Sequence, residues 1–416
     1  ATAKDPAARY QQVTDFAEAF AVALASSPAA TTTVHEVARR VTELSGTVDN
    51  PYKGLRAFGE ADAAQFFGRE RLVAELIGAM ENGRFLAVVG ASGSGKSSAV
   101  RAGLIPALRS GRVDGSQDWF ITTMTPGAHP FEALETALLR VAVNPPASLA
   151  AQLGEGRRGI LRGVRRVLPG DDATAVLVID QFEELFTLCG DEATRAQFLD
   201  ALTVAVTDPS SPLRVVATLR ADFYDQPLRY EAFAELLKRQ AVTVTPLAAD
   251  ELERAIVEPA AGVGAAFEPG LVAEIVADVA AQPSALPLMQ YALTELFDGR
   301  VSGTLMASTY RELGGLTGAL ARRADELFSA LGADDQAVAR RVFGRLVTLG
   351  GGTEDTRRRV RRSELGNDRA VESVVRAFGD ARLLAFDRDA ATREPTVEVA
   401  HEALIREWPR LRAWLD

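Results

Sequence analysis

The chain reads as an α/β protein: a parallel five-stranded sheet with helices on both faces, then a helical region, then helices leading into a β-hairpin. Three observations predict this. Five short segments rich in β-branched and apolar residues, Phe85 to Val89, Trp119 to Met124, Ala175 to Ile179, Arg214 to Leu219 and Ala241 to Thr245, are separated by amphipathic helical text, the alternation of a parallel sheet. A glycine-rich octet follows the first of them. Beyond Pro246 no comparable strand series occurs, and apolar residues recur at helical spacing, as in Leu252 and Ile256 or Leu271, Ile275 and Val279.

The elements follow in order. Residues 5 to 25 begin with Asp-Pro and place Phe16, Phe20 and Leu24 on one helical face. A single helix of this size cannot fold by itself. Ser26 to Thr33 has linker composition, a short helical stretch is expected over Val34 to Leu44, and a boundary falls near Asp49. After the sheet and the helical region, helical text at Ala337 to Leu349 and Ala370 to Phe378 precedes strand-like Leu383 to Phe386 and Thr396 to Val399. Helices followed by a hairpin point to a winged helix. The expected domains are therefore 1–25, a linker at 26–49, a sheet domain at 50–246, a helical region at 247–334 and a winged-helix domain at 335–416.

Composition bounds the function. A length of 416 residues suggests two to four domains on the usual prior of about 100 to 200 residues each. With 47% hydrophobic and 25% charged residues the chain is of the soluble globular kind, and no run of 18 uninterrupted apolar residues marks a membrane span. A net charge of −10 argues against nucleic acid as an obligatory partner, although Arg357 to Arg362 holds five arginines in six residues. The single cysteine, Cys189, excludes an internal disulfide, and three histidines (His35, His129, His401) make a histidine-rich metal centre a poor expectation. A reducing cytoplasmic setting is expected. The chain starts with Ala and shows no signal segment, and it is expected to be part of a longer protein.

The octet Gly90-Ala-Ser-Gly-Ser-Gly-Lys-Ser97 matches the phosphate-binding P-loop, and it follows a strand and opens a helix as the mechanism requires. In that reading Gly90, Ser92, Gly93, Ser94 and Gly95 let backbone N–H groups curl around phosphates, and the helix start from Lys96 through Ser98 adds its dipole. Lys96 reaches the β and γ phosphates, and the Ser97 hydroxyl ligates Mg2+. A nucleotide site also needs a carboxylate at the end of a buried strand, and Asp180 supplies it after Ala175-Val-Leu-Val-Ile179. Glu183 and Glu184 follow. One of them polarises the attacking water, with Glu184 favoured and the choice between the two open. Thr218-Leu-Arg220 ends the fourth strand of a sheet expected in the order 5-1-4-3-2, which puts Arg220 in place to sense the γ-phosphate. No Asn-Lys-x-Asp and no Leu-Ser-Gly-Gly-Gln occurs, so ATP/ADP is favoured over guanine nucleotides and a transporter-type ATPase is excluded.

Taken together, this text resembles the STAND class of signal-transduction ATPases, relatives of NACHT and NB-ARC proteins, and specifically their bacterial novel STAND branch. The resemblance covers nearly all of residues 50 to 416. It rests on Asn50-Pro-Tyr-Lys-Gly-Leu-Arg-Ala-Phe58, Phe66-Phe-Gly-Arg-Glu70, Asp180-Gln-Phe-Glu-Glu-Leu185, Thr218-Leu-Arg-Ala-Asp-Phe-Tyr224, Leu286-Pro-Leu288 and Val399-Ala-His-Glu-Ala-Leu-Ile405. It implies that Phe67, Gly68 and Arg69 lie beside the adenine, that Pro287 packs on the nucleotide from a helical lid, and that His401 of the winged helix contacts the β-phosphate of ADP. The chain departs from the NACHT pattern at Gln181, where glycine is usual, at Glu183, where aspartate is, and at Ser284-Ala285 before Pro287. Lys4-Asp-Pro-Ala-Ala-Arg-Tyr10 resembles the last helical segment of bacterial Ser/Thr protein kinases, while no kinase catalytic motif is present. That resemblance implies a kinase ahead of this chain, and the family often carries β-propeller repeats behind. The leading expectation is a slow, Mg2+-dependent ATPase acting as a regulatory switch, with oligomerisation or an attached effector as output. A DNA-binding regulator using the arginine run and a mechanical ATPase of the AAA+ kind are the alternatives.

Overall fold

The computed structural model describes residues 49–416 apart from 144–148, 171, 283–284, 351–354, 367, 382, 389–393, 401 and 416. The expected kinase-like tail, nearly all of the linker, Ser284 and His401 lie outside the described residues. Strands β1 (Phe85–Gly90), β2 (Phe120–Met124), β3 (Ala175–Ile179), β4 (Leu213–Arg220) and β5 (Ala241–Thr243) form one sheet in the order β2-β3-β4-β1-β5. Every pairing is parallel. Read from the other edge this is 5-1-4-3-2, as the sequence predicts.

Why these segments are strands is visible in where alternate residues go. Along β1, Leu86 and Val88 enter one apolar cluster while Phe85, Ala87 and Val89 enter another. In β3, Val176 and Val178 join the first cluster, and Ala175, Leu177 and Ile179 the second. A strand covered on both faces must be apolar throughout, and the period of two then assigns each side chain its face. Leu72, Leu76 and Met80 of the helix Glu70–Asn82 and Val100, Leu104 and Leu108 behind the P-loop cover one face. The other face is covered by Leu134, Leu138, Ile160, Val164, Phe198, Leu202 and Phe233. Parallel strands bring their C-terminal ends, Gly90, Ile179 and Arg220, to one edge of the sheet.

Beyond β5 the chain turns helical: Ala249–Gly262, Leu271–Ala280, Leu286–Asp298 and Gly315–Ala330, with β6 (Ala266–Phe267) and β7 (Thr304–Leu305) as a short parallel pair. The helix Ala333–Arg345 follows. It stops short of the expected Leu349, because β-branched Val347 and Thr348 leave it as β8 (Val347–Thr348) and pair with β9 (Thr356–Arg357). Next come β10 (Val360–Arg361) and the helix Arg369–Asp380. The antiparallel hairpin of β11 (Leu384–Arg388) and β12 (Pro395–Val399) completes a three-stranded sheet in the order β10-β12-β11. Two helices, Glu402–Glu407 and Pro409–Leu415, end the chain. No helix among the described residues is long and apolar enough to cross a membrane.

One apolar core serves this whole second half. It runs from Leu252 and Ile256 through Leu293 and Leu320 to Phe343, Phe378, Val399 and Trp408, and apart from Tyr52 and Leu55 it takes no residue from the sheet region. Its densest part is aromatic: Trp408, fully buried, stacks edge-on to Phe343 and to Trp414 at 5.2 Å each, and its Nε1 donates to Asp325 Oδ1 at 2.8 Å. Trp408→Ala should therefore lower the unfolding free energy by about 3 to 5 kcal/mol, the range for truncating a buried aromatic, as measured by urea denaturation. A loss below about 1 kcal/mol would show that the site collapses around the gap.

Candidate nucleotide site

The site is built where the strands end. After β1 the backbone reverses through Gly93 (φ 71°) and Gly95 (φ 89°), a region that side-chain-bearing residues avoid, and a helix begins at Lys96. Gly90 is equally constrained: a Cβ there would stand 2.9 Å from Ser94 Oγ and 3.0 Å from Val244 Cβ. Lys96 is buried, and its Nζ donates to the carbonyls of Gly90 (2.9 Å) and Ala91 (2.7 Å). Burial pulls its pKa down, and Glu183 opposes that pull. The Ser94 Oγ is buried with no hydrogen-bond partner. A fixed cation, an orphaned hydroxyl and a helix N-terminus make a cradle that fits an anion such as a phosphate.

Asp180 joins three elements. Its Oδ1 accepts from Ser97 Oγ at 2.7 Å and from Thr218 Oγ1 at 2.6 Å, and its Oδ2 accepts from Arg101 at 2.7 Å. A hydroxyl and a carboxylate in contact are hard oxygen donors of the kind Mg2+ takes beside phosphate oxygens. Arg101 reaches Asp180 from a π-helical stretch, Ala99–Leu104, of the helix that leaves the P-loop. Among the described residues no group of three or more His, Cys, Asp or Glu stands as a metal cage. Magnesium shared with a phosphate needs none.

The turn after β3 is strained. Gln181 sits at φ 55°, a left-handed conformation costing roughly 1 to 3 kcal/mol without glycine, so the departure from the NACHT pattern at this position has a physical price. Its N–H donates to Asp180 Oδ1 (3.2 Å) and Thr218 Oγ1 (3.0 Å). Glu183 accepts the Arg220 N–H at 3.2 Å and faces the cavity, and burial pushes its pKa up. Glu184 is not among the residues that line the cavity. Burial also pushes it up, to about 7, while the charges of Arg359 and Arg357 work against that rise. Arg220 is buried and forked onto Asp222 (3.0 and 2.7 Å), with Glu402 at 3.9 Å.

These groups border one cavity of about 430 Å3. Of the sequence-predicted residues, Ser92, Gly93, Gly95, Lys96, Ser97 and Ser98 line it from the P-loop, and Asp180, Glu183 and Arg220 from the strand ends. Phe67, Arg69 and Pro287 line it as well, as do the apolar Leu247 and Met289. The guanidinium of Arg69 is committed to the main chain, donating to Thr245 O and Ser94 O at 2.8 Å each, and so braces the P-loop against the end of β5. Gly68 does not border the cavity. At φ 82° its missing Cβ would lie 2.2 Å from the Glu251 carbonyl, so glycine is required there for close packing against the helix Ala249–Gly262.

Sequence reasoning missed several residues. Arg56 and Phe58 line the cavity from the leading segment, whose Phe58 N–H donates to Ser98 Oγ at 3.2 Å. Arg357, Arg359 and Glu398 line it from the C-terminal region. The arginine run was visible, but nothing local tells which strand of a distant region will face the P-loop.

Residues 51–416 match the family model described as Novel STAND NTPase 1. No curated protein matches the chain. Similar solved structures include the ORC1 protein of Aeropyrum pernix in complex with DNA, at 14% identity over 84% of this chain and 95% of that one, TM-score 0.46. The Walker-type ATPase of Pyrococcus abyssi matches at 13% identity over 86% and 98%, TM-score 0.44. Drosophila ORC bound to DNA matches at 17% identity over 83% and 85%, TM-score 0.41.

The raised Glu184 pKa has a consequence for stability. The folded state holds a proton that the unfolded chain releases above its ordinary value of 4.5, so stability falls as pH rises from there to about 7. Glu184→Gln should remove part of the drop in melting temperature between about pH 5 and about pH 8, read by calorimetry. A drop of unchanged size would show that Glu184 is ionised throughout.

Proposed function

The chain belongs to the Novel STAND NTPase 1 family, and from that premise we propose that it is an ATP/ADP switch in which slow hydrolysis resets a nucleotide-dependent arrangement of its C-terminal region. One observation carries the reading: a single cavity is lined at once by the P-loop, by Pro287 of the helical region and by Arg357, Ala400 and Glu402 of the C-terminal region. Whatever fills it bears on how that region is seated. In this reading residues 50–246 are the NTPase core, 247–334 the lid and 335–416 a winged helix.

Lys96 and the P-loop N–H groups hold the phosphates, while Phe67, Leu247, Pro287 and Met289 offer the base an apolar slot. Ser97 and Asp180 would hold Mg2+, which would supply positive charge to the phosphate oxygens. Glu183 is our choice over Glu184 for the group that orients the attacking water, because it borders the cavity and stands near Lys96. Arg220, already forked onto Asp222, is placed to exchange that partner for a phosphate oxygen. His401, whose chain neighbours Ala400 and Glu402 line the cavity, is assigned the ADP phosphate by family resemblance. ADP closes the arrangement, ATP opens it, and the output is self-association or release of an attached effector.

Two outcomes test this. Hydrogen exchange in residues 355–415 should differ between ATP-loaded and ADP-loaded protein, and the difference should vanish in Lys96→Ala, which removes the charge aimed at the phosphates. Identical exchange in both nucleotide states would leave an ATPase without a switch. Glu183→Gln should keep ATP bound and slow its hydrolysis about 10²- to 10⁴-fold, whereas a larger effect from Glu184→Gln would move the base by one residue.

A further inference from the structure

The run Arg357 to Arg362 suggests a polyanion by composition, yet the fold disperses it. Arg358 pairs with Glu364 at 3.8 Å, Arg361 with Glu394 at 3.5 Å, and Arg362 donates to the Gly366 carbonyl at 2.6 Å. Arg359 forks onto Glu398, both contacts at 3.3 Å. Arg357, on β9, contacts Glu398 at 3.5 Å and Glu402 at 3.4 Å, and it also reaches across to the sheet. With the Gln181 amide turned so that both its ends are satisfied, its oxygen accepts from Arg357 and its nitrogen donates to Glu184 Oε1 at 3.1 Å.

Gln181 is the residue held at φ 55°. Its backbone is tied from inside the sheet by Asp180 and Thr218, and the Glu184 N–H closes the turn on its carbonyl at 2.9 Å. Strained residues persist only where their surroundings over-determine them, and they cluster where geometry matters to chemistry. The backbone angle at Gln181 sets where the carboxylate of Glu183, two residues on, enters the cavity. Glu398 and Glu402 in turn hold the Arg357 guanidinium in orientation, so it arrives at Gln181 already aligned.

We propose that Arg357 is a positioning residue for NTP hydrolysis, supplied by the C-terminal region, that fixes the strained Gln181–Glu184 turn through the Gln181 side-chain amide. The proposal rests on the nucleotide reading above and adds a route by which the seating of the C-terminal region acts on the hydrolytic carboxylate. Arg357 also lines the cavity, and the proposal assigns its guanidinium to Gln181, which separates it from an arginine that senses phosphate.

The test uses the full 416-residue chain with ATP and Mg2+. Arg357→Ala should lower kcat about ten-fold with KM held within about two-fold, and should speed exchange of the amides of residues 181–185 about ten-fold. Arg357→Lys, which keeps a charge for Glu398 and Glu402, should lose only about three-fold, and it decides the matter if the alanine variant does not fold. In a Gln181→Gly background, where glycine takes the left-handed angle without strain and the amide is gone, Arg357→Ala should change kcat by less than about two-fold. A ten-fold loss that persists in that background, a KM that rises about ten-fold, or unchanged kcat and exchange would each overturn the proposal. If the unsubstituted chain hydrolyses no ATP, the nucleotide reading fails on its own, and the exchange of residues 181–185 still decides whether Arg357 braces the turn.

Discussion

The carboxylate of Asp180 is the junction on which the site depends. Its side chain links the P-loop helix to the ends of the third and fourth strands. Ser97, Thr218, Arg101 and the Gln181 N–H converge on it. A buried carboxylate is tolerated only when its lone pairs are used, so these contacts hold the charge in place, and the charge aligns the strand ends. The P-loop and the ends of β3 and β4 are thereby tied at one point.

The chain joins its parts by two kinds of physics. The helical region and the C-terminal region share a continuous apolar core ending in the Trp408 aromatic nest. Across to the sheet, the contacts include Arg220 with Glu402 and Arg357 with Gln181, which are polar and sit on the rim of the cavity. Apolar burial is non-directional and collectively large, whereas a charged contact depends on what else occupies its neighbourhood. The second half of the chain is thus held together by apolar burial, while its contacts with the sheet at the cavity include charged ones.

Much of this was legible in the sequence, for identifiable reasons. β1 and β3 are buried at every residue and apolar throughout, so these runs could be read, β3 correctly at both ends, and the expected order 5-1-4-3-2 is the one found. The P-loop is a local pattern whose chemistry lies within eight residues. What escaped depends on contacts distant in sequence. Gly68 reads like part of a nucleotide-contacting motif, but its constraint is the Glu251 carbonyl on another helix. Glu183 and Glu184 are chemically alike, and only the strained turn at Gln181 turns one toward the cavity and the other away. The helix expected to reach Leu349 stops at Arg345 because Val347 and Thr348 find strand partners at Thr356 and Arg357, which local propensity does not foresee.

The division between apolar core and charged contacts decides how the two attachments answer to the surrounding electrolyte. Salt screens charged contacts near the surface over about 8 Å at physiological ionic strength, while excluded ions such as sulfate strengthen apolar burial. The Arg220–Glu402 pair at the cavity, its side chains only 9% and 12% exposed, lies largely out of reach of that screening, and the aromatic nest around Trp408 tightens where ions are excluded. A rise in salt around the molecule therefore leaves both attachments in place.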